Sequence, residues 1–207
     1  MVTCRDCIKV KGQGRRGDSW ICNDCRVEVN VEVLNQSVNI FIFTGPEGAR
    51  HPEVAEIVGS TLGISQVVPY TTRPRRENEE DGQYAVFVSP AVFNDAQDRG
   101  EFLCVSESYG HHYGIKYDDM ERMIGTEQNV CLFADCSGAD LVKEKYGDSV
   151  VRVYIDEVGH ESSSDRWSTE YKTNCEYVFL NVDFPYLMFD LTNKLQSYLS
   201  LEWVEDF

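Results

Sequence analysis

The stretch Val38-Asn-Ile-Phe-Ile-Phe-Thr44 runs straight into Gly45-Pro46-Glu47-Gly48, and a helical pattern from Pro52 to Leu62 follows at once. A run this apolar and this short reads as a strand buried on both faces, the condition of strands inside a parallel sheet. Strand, glycine turn and helix in that order are the context in which a phosphate-binding loop sits. The alternation continues downstream. Ser89-Pro90 supplies an N-cap and a first-turn proline for a helix that runs to Gly100. Val130–Ala134 reads as a strand and Ser137–Tyr146 as a helix. Val150–Ile155 and Tyr177–Leu180 read as strands, and Pro185–Leu199 as an amphipathic helix. Strands alternating with helices predict an α/β fold, a parallel sheet flanked by helices.

A different logic governs the beginning of the chain. Cys4-Arg-Asp-Cys7 and Cys22-Asn-Asp-Cys25 are two C-x2-C pairs separated by fourteen residues. Each pair can turn two thiolates toward one ion, and two pairs supply the four ligands that tetrahedral zinc prefers. Such a unit is too small to bury a core, so a structural Zn2+ would provide much of its folding free energy. The expected organisation is a zinc ribbon and linker over residues 1–36, an α/β domain over 37–200 and an acidic tail over 201–207. Within the linker, Arg26–Val33 alternates polar and apolar residues as a strand does. The other cysteines, Cys104, Cys131, Cys136 and Cys175, are scattered and expected to be reduced thiols.

Charge narrows the partners. The formal net charge is -16, yet residues 1–29 hold six basic side chains against four acidic ones. The acidity therefore belongs to the larger domain, which would repel a phosphate backbone. Nucleic acid, if it binds at all, is expected to bind through residues 1–36. No run of about 18 apolar residues occurs, so no membrane span is implied. The opening residues lack the apolar stretch of a secretory signal, and a cytoplasmic location is expected.

The most specific segment is Thr71-Thr-Arg73-Pro-Arg75-Arg76-Glu77-Asn-Glu79-Glu80-Asp81-Gly82. Phe87-Val-Ser89, Gly100-Glu-Phe-Leu103, Tyr113-Gly114 and Asp135-Cys-Ser-Gly138 follow in order. From about Asn39 to Ile155, with a weaker tail to Leu199, the chain resembles guanylate kinase. The fold this implies is a P-loop-kinase-like parallel sheet flanked by helices, behind the small zinc ribbon. The resemblance implies that Arg73, Arg76 and Tyr113 hold a monophosphate, with Arg75 replacing Arg76 if the register slips by one. It places the acid Asp135 near the same centre. A second phosphate-binding tyrosine is expected where Ala85 stands. The residues that would read guanine are replaced by Cys104 and Ile115, so discrimination for GMP is expected to be poor. The plainer reading of Arg73, Arg75 and Arg76 is a solvated cluster paired with Glu77, Glu79, Glu80 and Asp81.

The phosphate loop departs from what the resemblance asks for. It reads Gly45-Pro46-Glu47-Gly48-Ala49-Arg50-His51-Pro52, with His51 where a lysine belongs and Pro52 where a magnesium-binding hydroxyl belongs. Arg50 replaces a glycine and Glu47 adds negative charge. The arginine-bearing lid is expected to be shortened between Asp156 and Cys175. These departures lead to the expectation of a degenerate P-loop and a pseudokinase. The chain would then be a non-catalytic protein-binding or regulatory module that recognises a protein partner, a GMP-like ligand or a phosphorylated group through the former GMP site. Two alternatives stand beside it: an active or altered-specificity nucleoside monophosphate kinase, and a nucleic-acid-binding regulator acting through the zinc ribbon.

Overall fold

The computed structural model describes residues 19–21, 28–30, 38–46, 50–157 and 169–202, and the chain divides into two units, Met1–Ser37 and Val38–Phe207. In the first unit, β1 (Ser19–Ile21) pairs antiparallel with β2 (Glu28–Asn30), Trp20 opposite Val29. The strand expected over Arg26–Val33 is thus described over three residues. The predicted zinc ligands Cys4, Cys7, Cys22 and Cys25 lie outside the described residues.

The second unit is built on β3 (Asn39–Thr44), whose six residues are all buried. It pairs in parallel with β9 (Asn129–Phe133) on one side and β10 (Val150–Glu157) on the other. Outside these lie β4 (Ser65–Gln66) and β11 (Tyr177–Asn181), giving the parallel order β11–β10–β3–β9–β4. Because side chains alternate along a strand, β3 feeds two cores. Phe41 and Phe43 pack with Val54 and Val58 of α1 (His51–Leu62) and with Leu187, Leu191 and Leu195 of α6 (Phe184–Glu202). Ile40 and Ile42 pack on the other face with Ala139 and Val142 of α4 (Cys136–Tyr146). Tyr171 of α5 (Thr169–Thr173) joins that second core. The expected α/β architecture with a parallel sheet between helices is therefore what forms. None of the described helices is long and apolar enough to cross a membrane.

A second sheet, not foreseen as strands, runs β6–β5–β8–β7. Its members are β5 (Tyr70–Thr71), β6 (Val86–Phe87), β7 (Phe102–Ser108) and β8 (His111–Lys116). The β7–β8 hairpin turns at Tyr109 and Gly110, with φ values of 50° and 74°. Positive φ at both central positions is what a two-residue hairpin turn demands, and tyrosine adopts it without glycine's freedom. α2 (Pro90–Asp98) covers this sheet, and its Ser89 Oγ accepts a hydrogen bond from Val92 N at 3.3 Å, the predicted N-cap. Phe93 of α2 stacks on Phe102 at 4.5 Å between ring centroids. α3 (Tyr117–Thr126) then leads back to β9.

Gly114 on β8 is required by a close approach. A Cβ there would come within 2.7 Å of the Phe102 ring, which Phe93 already confines. Gly114→Ala is expected to destabilise the protein by about 1–3 kcal/mol through overpacking, read as a lower urea midpoint at unchanged m-value.

Candidate active site

Two threonines at the end of β5 shape the first part of the site. Thr71, fully buried, donates its hydroxyl to His112 O at 2.9 Å and accepts from Arg73 N at 3.1 Å. Thr72 Oγ1 accepts from His112 N at 2.9 Å. These bonds tie the Thr-Thr-Arg segment to β8 and fix where Arg73 leaves the sheet. Its guanidinium forks onto Glu79, with Nη1 at 3.0 Å and Nη2 at 2.8 Å from the two carboxylate oxygens. Nη1 also donates to Pro74 O, and the group lies 5.2 Å from the Phe87 ring centroid. Tyr113 of β8, opposite Thr71, lies near Arg73.

The pair is mostly enclosed, its side chains 19% and 16% exposed. The hydrogen bond from Arg73 holds the Glu79 carboxyl below its ordinary range, and Arg76 N adds a second bond at 2.9 Å. Arg73 is raised by the same contact. Of the predicted anion ligands, Arg73 and Tyr113 are thus brought together, whereas the side chains of Arg75 and Arg76 are exposed. The self-pairing foreseen for this charge cluster is real but narrow: it joins Arg73 to Glu79 and is mostly enclosed. Glu79 is the partner of Arg73 that sequence reasoning passed over. Its spacing of six from Arg73 was visible, but nothing in four neighbouring acids marked which one turns inward.

Asp135 approaches from the other side. It caps α4, its Oδ1 accepting from Gly138 N at 2.8 Å, and it is half-buried. Tyr113 and Asp135 line one cavity of about 10 Å³, room for roughly a single water. Cys104, Ile115 and Gly138 close its floor. Cys104 and Ile115 are buried, and burial pushes the Cys104 thiol up to about 11. A neutral thiol and an isoleucine make this floor apolar. Ala85 is buried, while the neighbouring Tyr84 points away from the sheet core and donates to Glu56 of α1 at 3.4 Å.

At the end of β3, Gly45 is buried and Gly48 lies outside the described residues. Arg50 caps α1 in the left-handed conformation, φ 49° and ψ 44°, and its carbonyl accepts from Val54 N at 3.1 Å. Its Nε lies 3.3 Å from Glu53, and its guanidinium stacks 4.0 Å from the Phe184 ring centroid. His51 and Pro52 form the first turn of α1. The lid expected between Asp156 and Cys175 falls largely outside the described residues. The metal expectation gains no support: among the described residues, no group of three or more His, Cys, Asp or Glu side chains is placed to hold an ion.

The guanylate kinase family model matches residues 38–183, which takes in both sheets and every part of this site. The chain belongs to the guanylate kinase family. It is 36% identical over 108 residues to the guanylate kinase of Nitrosomonas europaea, covering 52% of this chain and 54% of that protein. With the guanylate kinase of Thermotoga maritima it shares 35% over 117 residues, 56% of each. The chain thus spans about half the length of the curated relatives it matches. In fold it is similar to the crystal structure of guanylate kinase from Anaplasma phagocytophilum, with a TM-score of 0.60 and 22% identity over 83% of this chain and 89% of that one.

These relatives overturn the expectation of a non-catalytic module, and with it the pseudokinase. The proteins that match are named for an enzyme of this family. Anion binding at the start of a helix draws on backbone N–H groups and the helix dipole as well as on side chains, and α1 starts shortly after β3 ends. Pro52 falls in the first turn, where a missing N–H breaks no internal hydrogen bond but removes one donor that an anion would use.

Because Glu79 is held below its unfolded-state value, its pairing stabilises the fold above the ordinary carboxylate range and is lost as pH falls through the lowered value. Stability of the wild type is therefore expected to drop on acidification from about pH 5 to pH 3 more steeply than that of Glu79→Gln. Urea midpoints measured along that series check it; parallel curves would remove Glu79 as an acid-sensitive element.

Proposed function

We propose that this chain is a nucleoside monophosphate kinase of the guanylate kinase type, moving the γ-phosphoryl group of magnesium-ATP onto a nucleoside monophosphate. An oxygen of the monophosphate attacks the γ-phosphorus, the bond to the bridging oxygen breaks, and ADP and a nucleoside diphosphate leave. The observation that carries the reading is the ordered Arg73–Glu79–Tyr113 set in a chain of this family. Beyond its bonds to Glu79 and Pro74, Arg73 carries Nε–H and a second Nη2–H on a planar, charged group suited to phosphate, and Tyr113 has a hydroxyl beside it. Transfer of a phosphoryl group asks the protein mainly for positioning and charge, which these groups supply.

The altered loop bears on rate. Arg50 is the cation described at the entry to α1, and half of its side chain is exposed. Released from Glu53, it would offer a delocalised charge to a nucleotide phosphate, but no side-chain oxygen stands at residue 52 to receive magnesium. Turnover is accordingly expected below the roughly 1–100 s⁻¹ typical of kinases.

The decisive assay follows ADP release from magnesium-ATP with GMP, AMP, CMP and UMP in turn. Turnover with at least one is the expected result; ADP no faster than the blank with all four would end the proposal. In the active pair, Arg73→Ala is expected to raise KM for the monophosphate about 10- to 100-fold, the loss of one charge-assisted contact set. An unchanged KM would remove Arg73 from the site.

A further inference from the structure

Four cysteines lie in the described part of the larger unit. Cys104 and Cys131 are buried, whereas Cys136 and Cys175 are half-buried. The latter two are distant in sequence, yet one residue clamps together the elements that carry them. Arg152 of β10 donates its backbone N to Glu176 at 2.7 Å. Its guanidinium reaches Glu176 and Asp140, each at 3.5 Å, and donates to Asn174 O. Lys143 adds an ion pair to Glu176 at 3.2 Å. Asp140 and Lys143 belong to α4, so this helix faces the turn Asn174–Glu176.

Cys136 begins α4 and stands four residues before Asp140, on the same helical face. Cys175 lies between the two clamped residues, Asn174 and Glu176. Both cysteines pack against the same apolar cluster, which contains Tyr154 and Tyr171. The Cys175 thiol donates to Tyr171 O at 3.5 Å, which ties it to the same cluster.

We propose that Cys136 and Cys175 are a disulfide-forming pair, a modification site closed by peroxide-class oxidants that staples the start of α4 to the turn entering β11. One thiolate attacks a peroxide oxygen, giving a sulfenic acid and hydroxide. The second sulfur then attacks the first and water leaves. In total two thiols and hydrogen peroxide become a disulfide and two waters, and a dithiol reverses the bond by exchange. Burial pushes the Cys136 thiol up to about 12 and the Cys175 thiol up to about 11, with Arg152 opposing the shift at Cys175. Burial of both thiols keeps thiolate scarce, so closure answers sustained rather than brief exposure to oxidant. The bond would bind together Asp135's helix and the turn where the chain returns to the sheet after α5.

The full chain, treated with hydrogen peroxide, alkylated and digested without reductant, tests this. A peptide joining Cys136 to Cys175, two hydrogens lighter than the separate peptides and released by dithiothreitol, is expected. The oxidised protein is also expected to melt several degrees above the reduced one. Cys175→Ser and, as a second variant, Cys136→Ser should each lose both effects. Recovery of the two cysteines as separate alkylated or over-oxidised peptides, or joined to other cysteines, would overturn the pairing. Oxidised and reduced wild type melting together would overturn the staple.

Discussion

Everything in the larger unit is referenced to β3, a strand with no polar face. Its four central side chains, Ile40, Phe41, Ile42 and Phe43, have no measurable exposure. At about 1.5–3 kcal/mol for each buried large apolar side chain, this one segment contributes on the order of 10 kcal/mol of the burial term. Parallel neighbours on both sides leave it no freedom to slip, because a shift of one residue would exchange the two cores it feeds. The end of β3 therefore lies at a defined place, and so do the turn and helix after it. β9 is held in the same ladder, which fixes where Asp135 and α4 begin.

The smaller sheet obeys a different constraint. Two of its strands, β5 and β6, span only two residues each, the β7–β8 pairing shifts register between Phe102 and Cys104, and it is held by the stack of Phe93 on Phe102 and by the threonine bonds to His112. Arg73 hangs from those bonds. On the proposed function, phosphate-directed chemistry would be a meeting between a hydrophobically fixed framework, carrying Asp135, and a hydrogen-bonded arm, carrying Arg73 and Tyr113. The chain's overall charge of -16 works against any anion at long range, so selectivity rests on what happens within a few ångströms of Arg73.

How much of this could be read in advance depends on the element. β3, β9 and β10 are apolar runs without competing interpretations, and Ser89-Pro90 announces α2 outright. The β7–β8 hairpin was hidden. Its turn is Tyr109-Gly110, not the Asn-Gly or Asp-Gly that signals a tight reversal, and Phe102–Ser108 mixes apolar and polar residues without strict alternation. Arg73, Tyr113 and Asp135 were legible through family pattern, but the Arg73–Glu79 fork was not, since which of several acids folds inward is a tertiary outcome. The larger error was one of weight: the missing lysine and hydroxyl at residues 51 and 52, and the N–H that Pro52 lacks, were set against catalysis, whereas the family match and the named relatives point the other way.

The fork between Arg73 and Glu79 has a further meaning for recognition. An arginine side chain free in solution samples many rotamers, and confining it forfeits up to about 2 kcal/mol of entropy. Here the confinement is completed during folding, by Glu79, the Pro74 carbonyl and the Phe87 ring. On the proposed function, a phosphate arriving at this guanidinium would find its orientation already chosen, the ordering otherwise subtracted from its affinity having been absorbed into the stability of the protein itself.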